Sequence, residues 1–198
     1  MNILLALITA FVTTQISYED AMYDMVMEQA INHCRNADPE LVDRYLIRDL
    51  IMIEKSHEVP NALKGMILAS ACYESGYNPK AKGDRKFSKN KKTPKAIGLF
   101  QMWPWWENEK YGYGIERTDA RASADAYIRH IKKQIPAVKK NCKFKTDKRI
   151  WIAAWVHAIR KPKDGGRCHE RPKHLRILRK WHKNIKNSYK YPGFTWEQ

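Results

Sequence analysis

The stretch "KRIWIAAWVHAI", residues 148–159, is apolar on nearly every face. A helix that is hydrophobic all round is buried among other elements, not laid on a surface. Asp147, just before it, is placed to cap such a helix. Read as a central helix, the stretch predicts a mainly α, compact domain with little or no β structure.

Working outward, the neighbouring segments carry the same helical period. Upstream, Asp119 can cap a helix bearing Ala124, Tyr127, Ile128, Ile131 and Ile135. "VPNALKGMILASACYES", residues 59–75, reads as one helix stopped by Gly76 and Pro79. Asp38, Pro39 and Glu40 start another that runs to about Ser56, with Leu41, Tyr45 and Leu50 among its buried candidates. Between Tyr18 and about Cys34, Met22, Met25, Ala30 and Ile31 recur at helical spacing. Downstream, Pro172 opens a final helix with Leu175, Leu178, Trp181 and Ile185. Lys80–Lys95 is a polar, Lys-rich loop, "TPKAIGLFQMWPWW" a short extended or irregular segment, and the tail from Ser188 has no clear period. The expected organisation is a signal peptide over residues 1–17, one domain over 18–187 and a tail over 188–198.

The first 17 residues carry no charge, and the run Ile3–Val12 has the length of a signal-peptide core and is too short to span a bilayer. No Lys or Arg precedes the run and no clean A-x-A site follows it, so an unprocessed apolar N-terminus or a short anchor is the alternative. Export makes two disulfides the default for Cys34, Cys72, Cys142 and Cys168, which allow three connectivities. Cys142 and Cys168 flank one helix and are the favoured pair, leaving Cys34 with Cys72. A zinc site of Cys142, His157, Cys168 and His169 is the competing reading, but it lacks C-x-x-C spacing. No metal or cofactor is expected.

Charge is unevenly spread. Residues 1–70 hold 5 Lys/Arg against 10 Asp/Glu, whereas residues 71–198 hold 32 against 11, giving the chain a net +16. A polyanionic partner follows: nucleic acid, an anionic membrane surface or an anionic wall polymer.

Two blocks carry chemistry. In "ASACYESGYNPKAKGD", residues 69–84, Glu74 falls in the last turn of an apolar helix. The negative end of the helix dipole and desolvation both favour its protonated form, which suits a general acid. The alternative is a carboxylate that simply reaches water. In "AIGLFQMWPWW", residues 96–106, Gly98, Leu99, Phe100 and Gln101 precede Trp103, Trp105 and Trp106. Gln101 offers donor and acceptor groups, and indole faces suit the C–H faces of sugar rings. At least one of the three tryptophans is expected to fill the core.

Glu74-Ser75 followed by Gly98-Leu99-Phe100-Gln101-Met102 resembles the motif order of the goose-type-lysozyme-like domain of soluble lytic transglycosylases. The resemblance spans about Leu46–Ala158. It departs from the family in a longer, Lys-rich gap before Gly98. Ala154-Trp155-Val156 stands where the family has Ala-Tyr-Asn, so that hydroxyl and amide are missing. Trp155 would keep the cleft wall, and His157 is either a replacement polar contact or a structural helix residue. What the resemblance implies is a lysozyme-like fold and cleavage of the bond between N-acetylmuramic acid and N-acetylglucosamine, with Glu74 as acid then base and a 1,6-anhydro product. Ser75, Gly98, Leu99, Phe100, Gln101, Trp103, Trp105 and Trp155 would bind substrate. The partner would be peptidoglycan glycan strands, with other anionic wall polymers retained by the basic surface; no nucleic acid is expected, and the chain would act as a monomer. Asp84 is the candidate second acid, which would permit hydrolysis instead; an ion pair within its loop is the plainer reading. A non-catalytic polyanion-binding module is the reading from a different class.

Overall fold

The computed structural model describes residues 27–28, 31–32, 34–35, 37–42, 44–85, 93–159 and 174–180, with the backbone alone for 157–159. It is mainly helical, as expected. Helix α1 spans Arg44–Ser56, α2 Met66–Ser75, α3 Ala120–Asn141 and α4 Asp147–Ile159, and residues 174–180 are helical. Strands β1 (Lys82–Gly83) and β2 (Ala96–Ile97) form a small antiparallel pair, with Lys82 opposite Ile97 and Gly83 opposite Ala96.

Helix α4 is the centre, as its all-round apolarity requires. Ile150, Trp151, Ala153, Ala154, Trp155 and Val156 are buried, and the helix packs along α3. Helix α3 turns Ala124, Tyr127, Ile128 and Ile131 inward, and α1 packs on both α2 and α3. Asp119 caps α3 by accepting from the Ala122 amide at 2.9 Å, worth about 1 kcal/mol. At α4 the cap lies one residue earlier than expected: Asp147 is already helical, and the Thr146 carbonyl accepts the first helical bond, from the Ile150 amide at 3.1 Å.

Two helix expectations need correction. Residues 59–75 are not one helix. A 3-10 turn at Asn61–Leu63 is followed by Gly65 at φ 85°, and α2 begins only at Met66. The Glu54 carboxylate of α1 accepts from the Gly65 and Ile67 amides, which makes the new start stable where a continuous helix would have none of these free donors. Residues 38–42 are likewise not helical. Asp38 forms a turn, accepting from the Glu40 amide at 3.1 Å, and the helix starts at Arg44. Tyr45, expected in the core, is 65% exposed, and Leu41 is exposed too; Leu50 is fully buried. The first helix falls mostly outside the described residues. Ile31 packs against the core, and Cys34 lies within it.

Cys34 and Cys72 are disulfide-bonded, as expected, tying the segment before α1 to α2. Cys142 is also disulfide-bonded; its expected partner, Cys168, lies outside the described residues. A disulfide-bonded Cys142 has no thiolate to offer zinc, which removes a ligand from the competing metal reading.

Candidate active site

Helix α2 has two polar ends. It is buried from Met66 to Cys72 and closes on Gly76 in the left-handed conformation. The Gly76 amide donates to Cys72 O at 3.0 Å and the Tyr77 amide to Ala71 O at 3.3 Å. These bonds satisfy carbonyls of the last turn, as sequence reading expected of Gly76. Glu74 therefore stands at a fixed helix end. Its side chain is 21% exposed, so it touches both solvent and interior.

The inner side of Glu74 meets a residue that sequence reading missed. His174 Nε2 lies 2.9 Å from Glu74 Oε1, across 100 positions of sequence. The His174 side chain is 2% exposed. Its ring stacks on Trp155 with centroids 5.4 Å apart and meets Tyr73 edge-on at 4.6 Å. Trp155 Nε1 donates in turn to the Tyr127 hydroxyl at 3.3 Å. Burial and, second, the nearby Glu74 charge push the Tyr127 hydroxyl up, with hydrogen bonds to Ser70 and Trp155 opposing. Tyr127 stacks on Phe100 at 4.7 Å. A continuous chain of rings therefore links Phe100, Tyr127, Trp155 and His174 to Glu74. The segments carrying Glu74, Phe100 and Trp155 meet here.

The "GLFQ" segment makes a turn. Ile97 and Met102 exchange two backbone hydrogen bonds, at 3.0 and 2.9 Å, and enclose residues 98–101. Gly98 has φ 84°, and a Cβ there would lie 1.9 Å from Arg117 O, so only glycine fits. Leu99 and Phe100 point into the core and are buried. Both amide hydrogens of Gln101 are spent on the backbone, at Ala81 O (3.2 Å) and Gly98 O (3.0 Å). Its Oε1 lies over Gly83, where an added Cβ would come within 2.1 Å. Arg117 closes the base of the hairpin by donating to Lys95 O at 2.8 Å and Met102 O at 2.9 Å. Leu99 and Phe100 are thus buried under the hairpin, and Gln101 is half-buried with its amide on the backbone. The reason is packing: apolar Leu99 and Phe100 are worth more under the hairpin than on it. Trp155 is likewise buried, and it backs His174 instead of lining a wall. The Ser75 hydroxyl donates to its own helix at Ala71 O, 3.1 Å away.

Two of the expected substrate contacts do face solvent. Trp103 is 38% and Trp105 40% exposed, while Trp106 is buried, so one of the three fills the core as anticipated. Trp105 stacks on Trp106 at 4.5 Å, and Trp106 on Tyr113 at 5.0 Å. Trp103 Nε1 donates to Asp84 Oδ2 at 2.9 Å, and the Lys95 ammonium lies 5.1 Å from the Trp103 ring. Asp84 is thus anchored to an indole, a contact its sequence context of Lys and Arg did not suggest. The side chain of His157 lies outside the described residues.

No group of His, Cys, Asp and Glu among the described residues is placed to hold a metal ion, and no helix among them is long and apolar enough to cross a membrane. Compared with family models, curated proteins and solved structures, the chain matches none.

Proposed function

We propose that the protein is a peptidoglycan lytic transglycosylase with Glu74 as its acid and base. One observation carries the reading: a glutamate fixed at a helix end, its side chain 21% exposed and its Oε1 held by a buried imidazole. A general acid needs that combination of restraint and access.

In the first step the Glu74 proton passes to the glycosidic oxygen. The C1–O bond breaks, its electron pair stays with the leaving N-acetylglucosamine oxygen, and the N-acetyl carbonyl oxygen of the muramic acid bonds to C1. In the second step the Glu74 carboxylate takes the proton of the C6 hydroxyl. That oxygen attacks C1, the bond to the acetyl oxygen breaks, and a 1,6-anhydro sugar leaves. One carboxylate serves both steps, whereas hydrolysis by the common routes uses two. Exposed Trp103 and Trp105 offer ring faces for sugars. The net +16 charge favours an anionic wall. The disulfides fit an oxidising, exported location.

A second reading is hydrolysis on the same site. Asp84, held by the exposed Trp103, keeps another carboxylate at the end of β1. Digestion of purified sacculi followed by mass analysis decides between them. Anhydro-muropeptides from the wild type and none from Glu74→Gln are expected. Reducing-end products lost in Asp84→Asn would establish the hydrolase instead, and intact sacculi under all salt and pH conditions would sink both.

A further inference from the structure

We infer that His174 is the positioning residue of Glu74: its Nε2–H holds Oε1, which leaves Oε2 as the oxygen that carries and returns the proton. This rests on reading Glu74 as the acid and base.

The ring is immobilised before it meets the carboxylate. Trp155 lies nearly parallel to it, at 18°, and Tyr73 crosses it at 73°, so neither a ring flip nor a tilt is open to it without moving one of them. Trp155 is itself fixed, whereas Tyr73 is 38% exposed. Trp155 is fully buried with its indole hydrogen on Tyr127, and Tyr73 sits on α2 beside Glu74. The orientation of the ring then determines its tautomer. Nδ1 is buried and has no hydrogen-bond partner among the described residues. A hydrogen there would be a donor removed from water with nothing to accept it, which is costly. An unpaired lone pair costs less than that, so the hydrogen belongs on Nε2, facing Glu74 Oε1 at 2.9 Å.

A consequence for Glu74 follows. Oε1 accepts a hydrogen bond from Nε2 and has no room there for a proton of its own, since two hydrogens would then face each other. A proton on the carboxyl group must sit on Oε2. The bond at Oε1 persists whether Glu74 is charged or neutral, so the carboxyl group keeps its orientation through both steps of the reaction. Among the described residues, Tyr127 from α3 feels the Glu74 charge, and Tyr73 neighbours Glu74 on α2.

The test compares His174→Leu with His174→Gln on the full chain. Glutamine keeps an N–H donor of similar reach, and leucine keeps bulk alone. Leucine is expected to lower kcat on solubilised glycan strands by about 10–100-fold, the effect of a misplaced catalytic group. KM should change by less than about 2-fold, and glutamine should recover most of the loss. Equal activity of the leucine variant and the wild type would overturn the role of His174, and so would equal losses in both variants. If the variants fail to fold, nitrogen-15 spectra of the wild type still decide: a hydrogen on Nε2 is expected, and one on Nδ1 refutes the assignment. A wild type inert on sacculi overturns the enzyme reading together with the role of His174 in it. An active wild type with an indifferent leucine variant overturns the positioning role alone.

Discussion

The Glu54 carboxylate of α1 accepts from the Ile67 amide at 3.0 Å and from the Gly65 amide, and so seals the N-terminus of the helix that carries Glu74 in its last turn. Burial pushes Glu54 up to about 7 against the opposing pull of the Ile67 and Gly65 bonds and the Lys64 charge. A carboxyl whose folded value exceeds its unfolded value binds its proton more tightly when folded. Its stabilising contribution is therefore complete below about pH 4.5 and is lost as pH rises through 7. The loss across that window is about 3 kcal/mol. Glu54→Gln keeps an acceptor and has no charge to bury. Urea unfolding at pH 4.5 and pH 8 should show that the variant lacks this part of the slope, and an unchanged slope would refute it.

Gly98→Ala should displace the backbone of the hairpin. The added methyl would collide with Arg117 O and sit at a left-handed φ. A loss of about 3 kcal/mol in thermal or urea unfolding is expected from overpacking and strain together. Leu99→Ala also empties core, by about 2–5 kcal/mol, but leaves the backbone path intact.

Binding to sacculi should depend on the two exposed indoles. Trp103→Ala and Trp105→Ala are each expected to weaken sedimentation with sacculi by roughly 5–10-fold, the loss of one ring contact. Trp105→Ala also removes the stack on Trp106, so thermal unfolding is measured alongside binding. Raising salt from low to about 0.5 M should weaken binding of the wild type too, because the net charge is +16. Binding that ignores both changes would show that another surface holds the wall.

The Cys34–Cys72 bridge closes 38 positions of sequence. The double change of Cys34 and Cys72 to serine should cost about 4 kcal/mol through the entropy returned to the unfolded chain. Calorimetry measures it, and an unchanged Tm would mean the segment before α1 adds little to the domain.

Much of the fold was legible where the signal is local. Asp119 could be read as a cap because its carboxylate needs to reach only the third amide beyond it. Gly76 could be read as a stop because its conformation satisfies carbonyls four and five residues back. Gly65 was misread because a glycine inside an apolar run is compatible with a helix. What breaks the helix there is Glu54, eleven residues earlier, and no local pattern announces it. Tyr45 was misplaced for a related reason. Its spacing fits an inward face, but the helix starts at Arg44 and turns that residue to solvent.

By itself the sequence determined the helical class, the central place of 148–159 and the position of Glu74, since each follows from periodicity or capping within a few turns. Only the tertiary structure decided what surrounds Glu74. It brought His174 from 100 residues away, turned Leu99, Phe100 and Trp155 inward, and set Asp84 against Trp103. The cause is that side-chain pairing across distant segments is fixed by the packing of whole helices, and the residues that meet there carry no mark of it in their own neighbourhood.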